Sequence, residues 1–324
     1  MIKYLFRRFW MLVGIILSVH LLTFILFFKV YSPDQIAQAR LGQKSNNSET
    51  ILAWKKQHHL DKPLFINREK KGIQFFTETM LYDHFFKLIS LDFGVALDGQ
   101  PINQEIKSRI LPSILLTAPA FFIGVILSLW LSLKFLMIKS EKLITFFRLM
   151  MLVMMSISPI FIMMLFHYIF AINLKLVPLS GFELNYPVKW LILPLMISII
   201  ADLAASVRWF SSIIQDKKNE RFAVLANIYG ARESIILKKE IFPNSLIPIS
   251  TAMLVQIPLL ITGSATLESY FSIAGLGLYS LQGFLLKDFF ILRTMILLGT
   301  VLYCIGIFLS DIMISFIDPR IRLT

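Results

Sequence analysis

The sequence predicts an all-α integral membrane protein with six transmembrane helices and both termini in the cytoplasm. Three observations carry that prediction. The first is composition: of 324 residues, 56% are hydrophobic and 16% charged, with 29 Phe, against about 25% charged in a soluble domain. With a mean hydropathy of +0.72, the chain holds more apolar surface than a water-soluble fold of this size can hide. The second is a set of six apolar runs, each close to the ~20 residues a helix needs to cross a bilayer core of about 30 Å. The third is the placement of the basic residues. Thirty-two Lys and Arg against 20 Asp and Glu give a net charge of +12, and the excess gathers at alternate ends of the runs, which is the positive-inside pattern. A nucleic-acid binder would carry such charge on a soluble domain, and none is visible.

Taken in order, the first run spans Phe9 to Phe28 behind Lys3, Arg7 and Arg8. It is too long for a signal peptide core and no small-residue cleavage site follows, so it reads as a retained helix. The second runs from about Ile110 to Leu133, the third from about Leu149 to Ile172 and the fourth from about Trp190 to Ile214. The fifth covers about Leu246 to Thr266 and the sixth about Thr294 to Ile317. At membrane depth only helix satisfies such a backbone internally, and a barrel would alternate over ten-residue segments instead. With the N-terminus inside, the cytoplasmic segments hold Lys134, Lys139, Lys142 and Arg148, then Lys217, Lys218, Arg221, Arg232, Lys238 and Lys239, and finally Arg320 and Arg322. The short outer loops hold only Lys175, Lys189, Lys287 and Arg293. The Lys-rich stretch from Lys29 to Arg109 is a long segment, and long segments translocate largely regardless of charge. Three parts follow: residues 1–28 as tail and first helix, 29–109 as an extracytoplasmic segment, and 110–324 as a five-helix core with a cytoplasmic loop at 215–245.

Few residues inside the runs carry chemistry. Asp202, in the fourth, is expensive at membrane depth and is expected to face a water-filled pathway or to hydrogen-bond a neighbouring helix. Arg208 lies about 240° further round the helix, so it snorkels toward the cytoplasm rather than pairing with Asp202. His20 and His167 are isolated, with no nucleophile or metal set beside them, and adjacent His58 and His59 read as two solvated residues. Met150, Met151, Met154 and Met155 make the third run adaptable, without the His or Cys that copper binding needs. Cys304, alone, reads as a packing residue and excludes a disulfide framework. No catalytic residue, cofactor or metal is expected.

The loop between the fourth and fifth runs reads QDKKNERFAVLANIYGARESIILKKEIFPN. Asn219 caps a short helix with Glu220 in its first turn. Phe222, Leu225 and Tyr229, with Ala226, form an apolar face opposite Arg221, Asn227 and Arg232. Gly230 is a plausible stop, and Ala226 and Gly230, four apart, permit close approach of another surface. A second amphipathic stretch, Ser234 to Phe242, leads into the fifth run. On physical grounds alone a docking helix, an interfacial helix lying on lipid headgroups and a plain connector all remain open.

This loop resembles the coupling loop of permease subunits of ABC importers, most closely the oligopeptide/dipeptide/nickel branch. The family's aromatic, Ala, Gly, Asn and Pro correspond to Phe222, Ala226, Gly230, Asn244 and Pro248. The likeness extends along nearly the whole chain. His59-Leu60-Asp61-Lys62-Pro63-Leu64 is similar to G-L-D-x-P-L, Asp92-Phe93-Gly94-Val95 to D-x-G-x-S, and Ile110-Leu111-Pro112-Ser113 to R-L-P-x-T. Glu268 to Gly277 resembles E-x-x-F-S-x-P-G-L-G, and Asp318-Pro319-Arg320-Ile321-Arg322 the family's ending. Departures include Val224 at the position of the loop's glutamate, Ala274 for the Pro before G-L-G, and Ser211 for the second of two arginines of which Arg208 is the first.

The resemblance implies the type I ABC importer permease fold in a bacterial inner membrane, with no enzymatic activity of its own. It implies a second homologous permease subunit, ATP-binding cassette ATPase subunits, an extracytoplasmic solute-binding protein and the lipid bilayer as partners, with no nucleic acid. Phe222, Ala226, Gly230, Asn244 and Pro248 are then expected to couple to the ATPase. Glu268, Phe271, Ser272, Gly275 and Gly277, with Asp202, are expected to line or gate the translocation path, the commonest cargo being peptides. The sequence contains no G-x-x-x-x-G-K-[ST] phosphate loop, so ATP hydrolysis must come from a partner. The alternative, a secondary transporter or channel, would need its own coupling-ion groups near the midplane, where Asp202 is nearly alone.

Overall fold

In the computed structural model every long apolar run is helical, as a backbone cut off from water requires. The structure describes residues 2–30, 32–41, 48–57, 60–67, 70, 72, 74–183, 186–229 and 231–317. The expectations at His58, His59, Gly230 and 318–322 lie outside the described residues. In chain order the helices are α1 (Ile2–Val30), α2 (Pro33–Leu41), α3 (Ser48–Gln57), α4 (Gln74–Thr77), α5 (Met80–Ile89) and α6 (Ile102–Leu136). Next come α7 (Glu141–Ser156), α8 (Pro159–Phe166) with a π-helical turn His167–Asn173, α9 (Pro187–Lys218) and α10 (Arg221–Ile228). The chain continues through α11 (Glu233–Ile236), a π turn Leu237–Ile241, α12 (Phe242–Gln256) and a 3₁₀ turn Ile257–Thr262. It ends with α13 (Ala265–Tyr270), α14 (Leu276–Leu285) and α15 (Phe289–Ile317). Among the described residues, five stretches are long and apolar enough to span a bilayer, and the pair α7–α8 makes a sixth if counted as one span.

That pair corrects the expected third span. The run from Leu149 to Ile172 is not one straight helix but two helical segments bent by 89°. Pro159 is the cause. It pushes the preceding residue out of the α region, and Ile157 and Ser158 are both extended, at ψ 128° and 133°. The new helix then starts with the proline in its first turn, where the missing N–H is no loss. The fifth span also departs from a plain α-helix: it tightens to 3₁₀ after Gln256 and stops at Gly263.

The chain divides into two compact units. One comprises Phe6–Ser108 and Tyr279–Cys304. Its core is aromatic, with Phe24, Phe27, Leu60 and Met80 buried and Phe27 edge-on to Phe289 at 5.0 Å between centroids. Asp288 organises one end of it. Its Oδ1 accepts from the backbone N–H of Phe290 (3.0 Å) and Ile291 (3.3 Å), capping α15, while Oδ2 accepts from Leu97 N–H. The Asp92-Phe93-Gly94 turn is held by Asp92 accepting from Gly94 N–H at 3.0 Å. Asn103 bridges the same turn, accepting from Phe93 and donating to the Leu91 carbonyl.

The other unit comprises Met1–Leu5, Arg109–Leu278 and Ile305–Thr324. Three buried clusters among the described residues hold it, the smallest being Met151, Ala204 and Val207 between α7 and α9. Another joins Leu116, Ile197, Phe271 and Ile273; the third joins Phe210, Ile214, Ile241 and Ile249. Small residues bring helices close, as they do where lipid offers no competing hydrophobic drive. A Cβ on Gly306 would lie 2.6 Å from the Val255 carbonyl oxygen, and Ser132 Oγ donates across to the Val207 carbonyl at 3.0 Å.

Candidate functional site

The expected site residues fall into two groups at opposite ends of the same helices. At one end, α9 closes with Lys217 and Lys218, and the chain turns directly into α10. Asn219 is not the helix cap expected of it. It terminates α9 with αR dihedrals, and the Glu220 carbonyl accepts the first N–H groups of α10, from Ala223 and Val224. Ion pairs Lys217–Glu220 and Lys218–Glu233 brace the loop.

The apolar face of α10 is rotated from the one expected. Phe222 and Ala226, half-buried, pack with fully buried Ala223 against Phe210, Ile214, Ile236, Leu237 and Ile241. Leu225, Ile228 and Tyr229 point outward, 51%, 73% and 85% exposed. A stripe centred on residues 222, 223 and 226 leaves 228 on the opposite face at 100° per residue. The small Ala223 lets the α10 backbone lie close to α9 and α11, a signal present in the sequence but fainter than that of the larger side chains. At the far side of the loop, Asn244 donates its amide to the Glu240 carbonyl at 2.7 Å, and Pro248 is half-buried within α12.

At the other end, the segment after α12 folds back on itself around Glu268. This carboxyl group is fully buried. Its Oε1 accepts from Ser113 Oγ at 2.8 Å and from Ser264 N–H at 3.2 Å, and its Oε2 accepts from Leu278 N–H at 2.8 Å. Ser113 Oγ in turn accepts from Leu276 N–H at 2.7 Å, and Ser264 Oγ caps α13 by accepting from Leu267 N–H. The result is a capping box displaced by one residue, which satisfies the donors a tight turn leaves open. Gly263 makes the turn possible. Its φ 74° and ψ −175° lie in a region open essentially to glycine alone, and a Cβ there would stand 2.1 Å from Glu268 Oε1. The loop closes against Gly277, where a Cβ would meet Ala265 N at 2.5 Å.

Phe271, Gly275 and Gly277 are buried with Glu268, whereas Ser272 is exposed with φ 55°. His167, read from sequence as isolated, is paired: its Nδ1 lies 3.0 Å from the Tyr270 hydroxyl, and its ring packs on Phe271 at 5.6 Å. His20 has no hydrogen-bond partner among the described residues.

Between the two ends, Asp202 is exposed to a cavity of about 480 Å³ lined by α6, α9, α12 and the start of the folded-back segment. Ser198, Asp202 and Ser206 form a polar stripe along α9 at i, i+4 and i+8, facing Thr117, Gln256 and Ser264. The structure thus brings Asp202 to the base of the Glu268 segment. It does not bring it to α10, from which it is separated by the remainder of α9, about 24 Å of helix.

Residues 120–323 match the family described as binding-protein-dependent transport system inner membrane component. Along its length the chain is similar to the oligopeptide transport system permease protein AppB of Bacillus subtilis (strain 168), 26% identical with 99% of this chain and 100% of the relative covered. It is also similar to the dipeptide transport system permease protein DppB of Lactococcus lactis subsp. cremoris (strain MG1363), 25% identical with both chains fully covered. The DppB of B. subtilis (strain 168) is 26% identical, with 100% of this chain and 99% of the relative covered.

Proposed function

Because the chain belongs to the family of binding-protein-dependent transport system inner membrane components, and is a multi-pass inner-membrane permease of an ABC importer, we propose that it carries peptides and couples to a separate ATPase through residues 215–245. Peptide cargo is carried over from the relatives named for oligopeptide and dipeptide transport. Energy enters from ATP-binding cassette subunits, since the chain has no phosphate loop of its own. A second permease completes the path and an extracytoplasmic solute-binding protein delivers the cargo. In this reading 29–109 is the extracytoplasmic segment, and 110–324 is the permease core.

The observation that carries the reading is α10. Phe222, Ala223 and Ala226 fasten it to its own bundle, and Leu225, Ile228 and Tyr229 present an apolar face outward. A face of that kind suits a groove on a partner, with Asn244 and Pro248 holding the start of α12 beside it. The same α9 and α12 that meet this loop line the cavity at Asp202. A push on α10 therefore reaches the path through two helices. Alternation between states needs each state to make its own contacts, and the ATPase supplies the difference by opening and closing. Ser272 is exposed on the outer turn, with Glu268, Phe271, Gly275 and Gly277 shaping that turn from beneath.

The test replaces Ile228 by Asp on the outward face. A surface change of this kind alters the fold by no more than about 0.5 kcal/mol. ATPase co-purification and ATP-driven peptide uptake are expected to be lost together. Unchanged co-purification and uptake would refute docking through this face.

A further inference from the structure

Two adjoining hollows lie between α6, α7 and α9, apart from the cavity at Asp202. The first, about 260 Å³, is lined by Arg148 of α7 and by Arg208, Ser211 and Gln215 of α9. Neither arginine has an acidic partner among the described residues. Ser211 is 5% exposed, and its buried Oγ has no hydrogen-bond partner among the described residues. A buried hydroxyl left unpaired is costly and calls for an explanation. The second hollow, about 330 Å³, is almost wholly apolar, with Met150, Met154 and Val207 among its walls and Lys134 at its edge. Phe135 and Met151 line both, so the two adjoin.

Their order along the bundle has a direction. α7 starts, and α9 ends, at the side rich in Lys134, Lys139, Lys142, Lys217 and Lys218, the cytoplasmic side by the positive-inside rule. Arg148 lies nearer that side on α7 than Met151 and Met154, and Arg208 and Ser211 lie nearer it on α9 than Leu203 and Val207. A cationic, hydroxyl-bearing hollow therefore lies toward the cytoplasm, while the apolar slot runs from that same side, at Ile138 and Phe147, to Met154 and Leu203 deeper in. Ala204 and Val207 stand about 140–200° around α9 from Asp202. They turn the slot away from the polar cavity, with Leu203 forming the wall between the two.

We propose that these two hollows form one binding site for an anionic phospholipid of the cytoplasmic leaflet. Arg148 and Arg208 hold the phosphate, Ser211 Oγ donates to one of its oxygens, and an acyl chain fills the methionine-lined slot. Basic pockets between transmembrane helices on the cytoplasmic side suit such headgroups, and methionine conforms to an irregular chain. The site stands whether or not α10 docks an ATPase.

The test is native mass spectrometry of the full-length chain, delipidated in detergent and titrated with dioleoyl phosphatidylglycerol or dioleoyl phosphatidylcholine. Each arginine near a headgroup is worth roughly fivefold in affinity. Phosphatidylglycerol is therefore expected to bind about 25-fold more tightly than phosphatidylcholine. Arg148→Gln and Arg208→Gln each reduce that ratio about fivefold, while Arg148→Lys and Arg208→Lys keep most of it. Met150→Trp, at the exposed lip of the slot, weakens both lipids alike. Free glycerol phosphate, which lacks the chains, does not displace phosphatidylglycerol. Equal binding of the two lipids overturns the proposal, as do Gln and Lys variants that behave the same. Displacement by glycerol phosphate overturns it too, since the hollow would then hold a soluble phosphate.

Discussion

Replacing Glu268 removes the centre of the outer turn, and the cost follows from the hydrogen bonds it accepts. Glu268→Ala leaves Ser113 Oγ, Ser264 N–H and Leu278 N–H without their acceptor in a site closed to water. A buried donor left unmade costs about 1–3 kcal/mol, so the three together cost about 3–9 kcal/mol, a large part of the 5–15 kcal/mol that holds a typical domain. Glu268→Gln keeps the shape but turns one acceptor oxygen into a donor. Since both oxygens accept in the native site, at least one bond is lost, at about 1–3 kcal/mol. The assay is provided by the chain itself. Cys304 is its only cysteine and is buried, so a thiol-reactive fluorophore reports unfolding on heating. At about 2–4 °C per kcal/mol, the Ala variant is expected to melt at least about 6 °C below the parent and the Gln variant in between. If the Ala variant melts within about 2 °C of the parent, the carboxylate does not organise the turn.

Three further outcomes follow from other positions. Gly263→Ala places a methyl 2.1 Å from Glu268 Oε1 at a glycine-only conformation, and is expected to destabilise by about 3 kcal/mol or more in the same melting assay. Asp202→Asn is expected to slow peptide uptake in reconstituted vesicles severalfold while leaving the melt within about 2 °C, because the side chain faces the cavity rather than the core. Lys218→Ala breaks the ion pair to Glu233, but with side chains 53% and 64% exposed it is expected to cost less than about 1 kcal/mol, measured by the same melt.

Hydropathy located the membrane runs because crossing a bilayer is a demand on composition, and composition is written residue by residue. Direction is not. The run from Leu149 to Ile172 has the same mean hydropathy straight or bent, and only Pro159 with its extended neighbour Ser158 betrays the turn. The orientation of α10 was open for a similar reason. Spacing marks Phe222, Leu225 and Tyr229 as one stripe, yet packing selects the stripe that seats Ala223, whose small size is an advantage only once α9 and α11 are beside it. Glu268 could be placed in the outer loop by likeness to a motif. Its partner Ser113, 155 positions earlier, is brought to it only by the fold, which buries the pair within the folded-back segment. His167 and Tyr270 met in the same way, from runs with no common local pattern.

The 113–268–278 bonding has a mechanical corollary. Tied into α6 by a dry carboxylate and closed against a glycine with no room for a methyl, the returning strap is welded to a rod rather than hinged on it. The strap and α6 therefore shift as one body, and a change of shape in this part of the bundle falls to the packing between helices rather than to the strap.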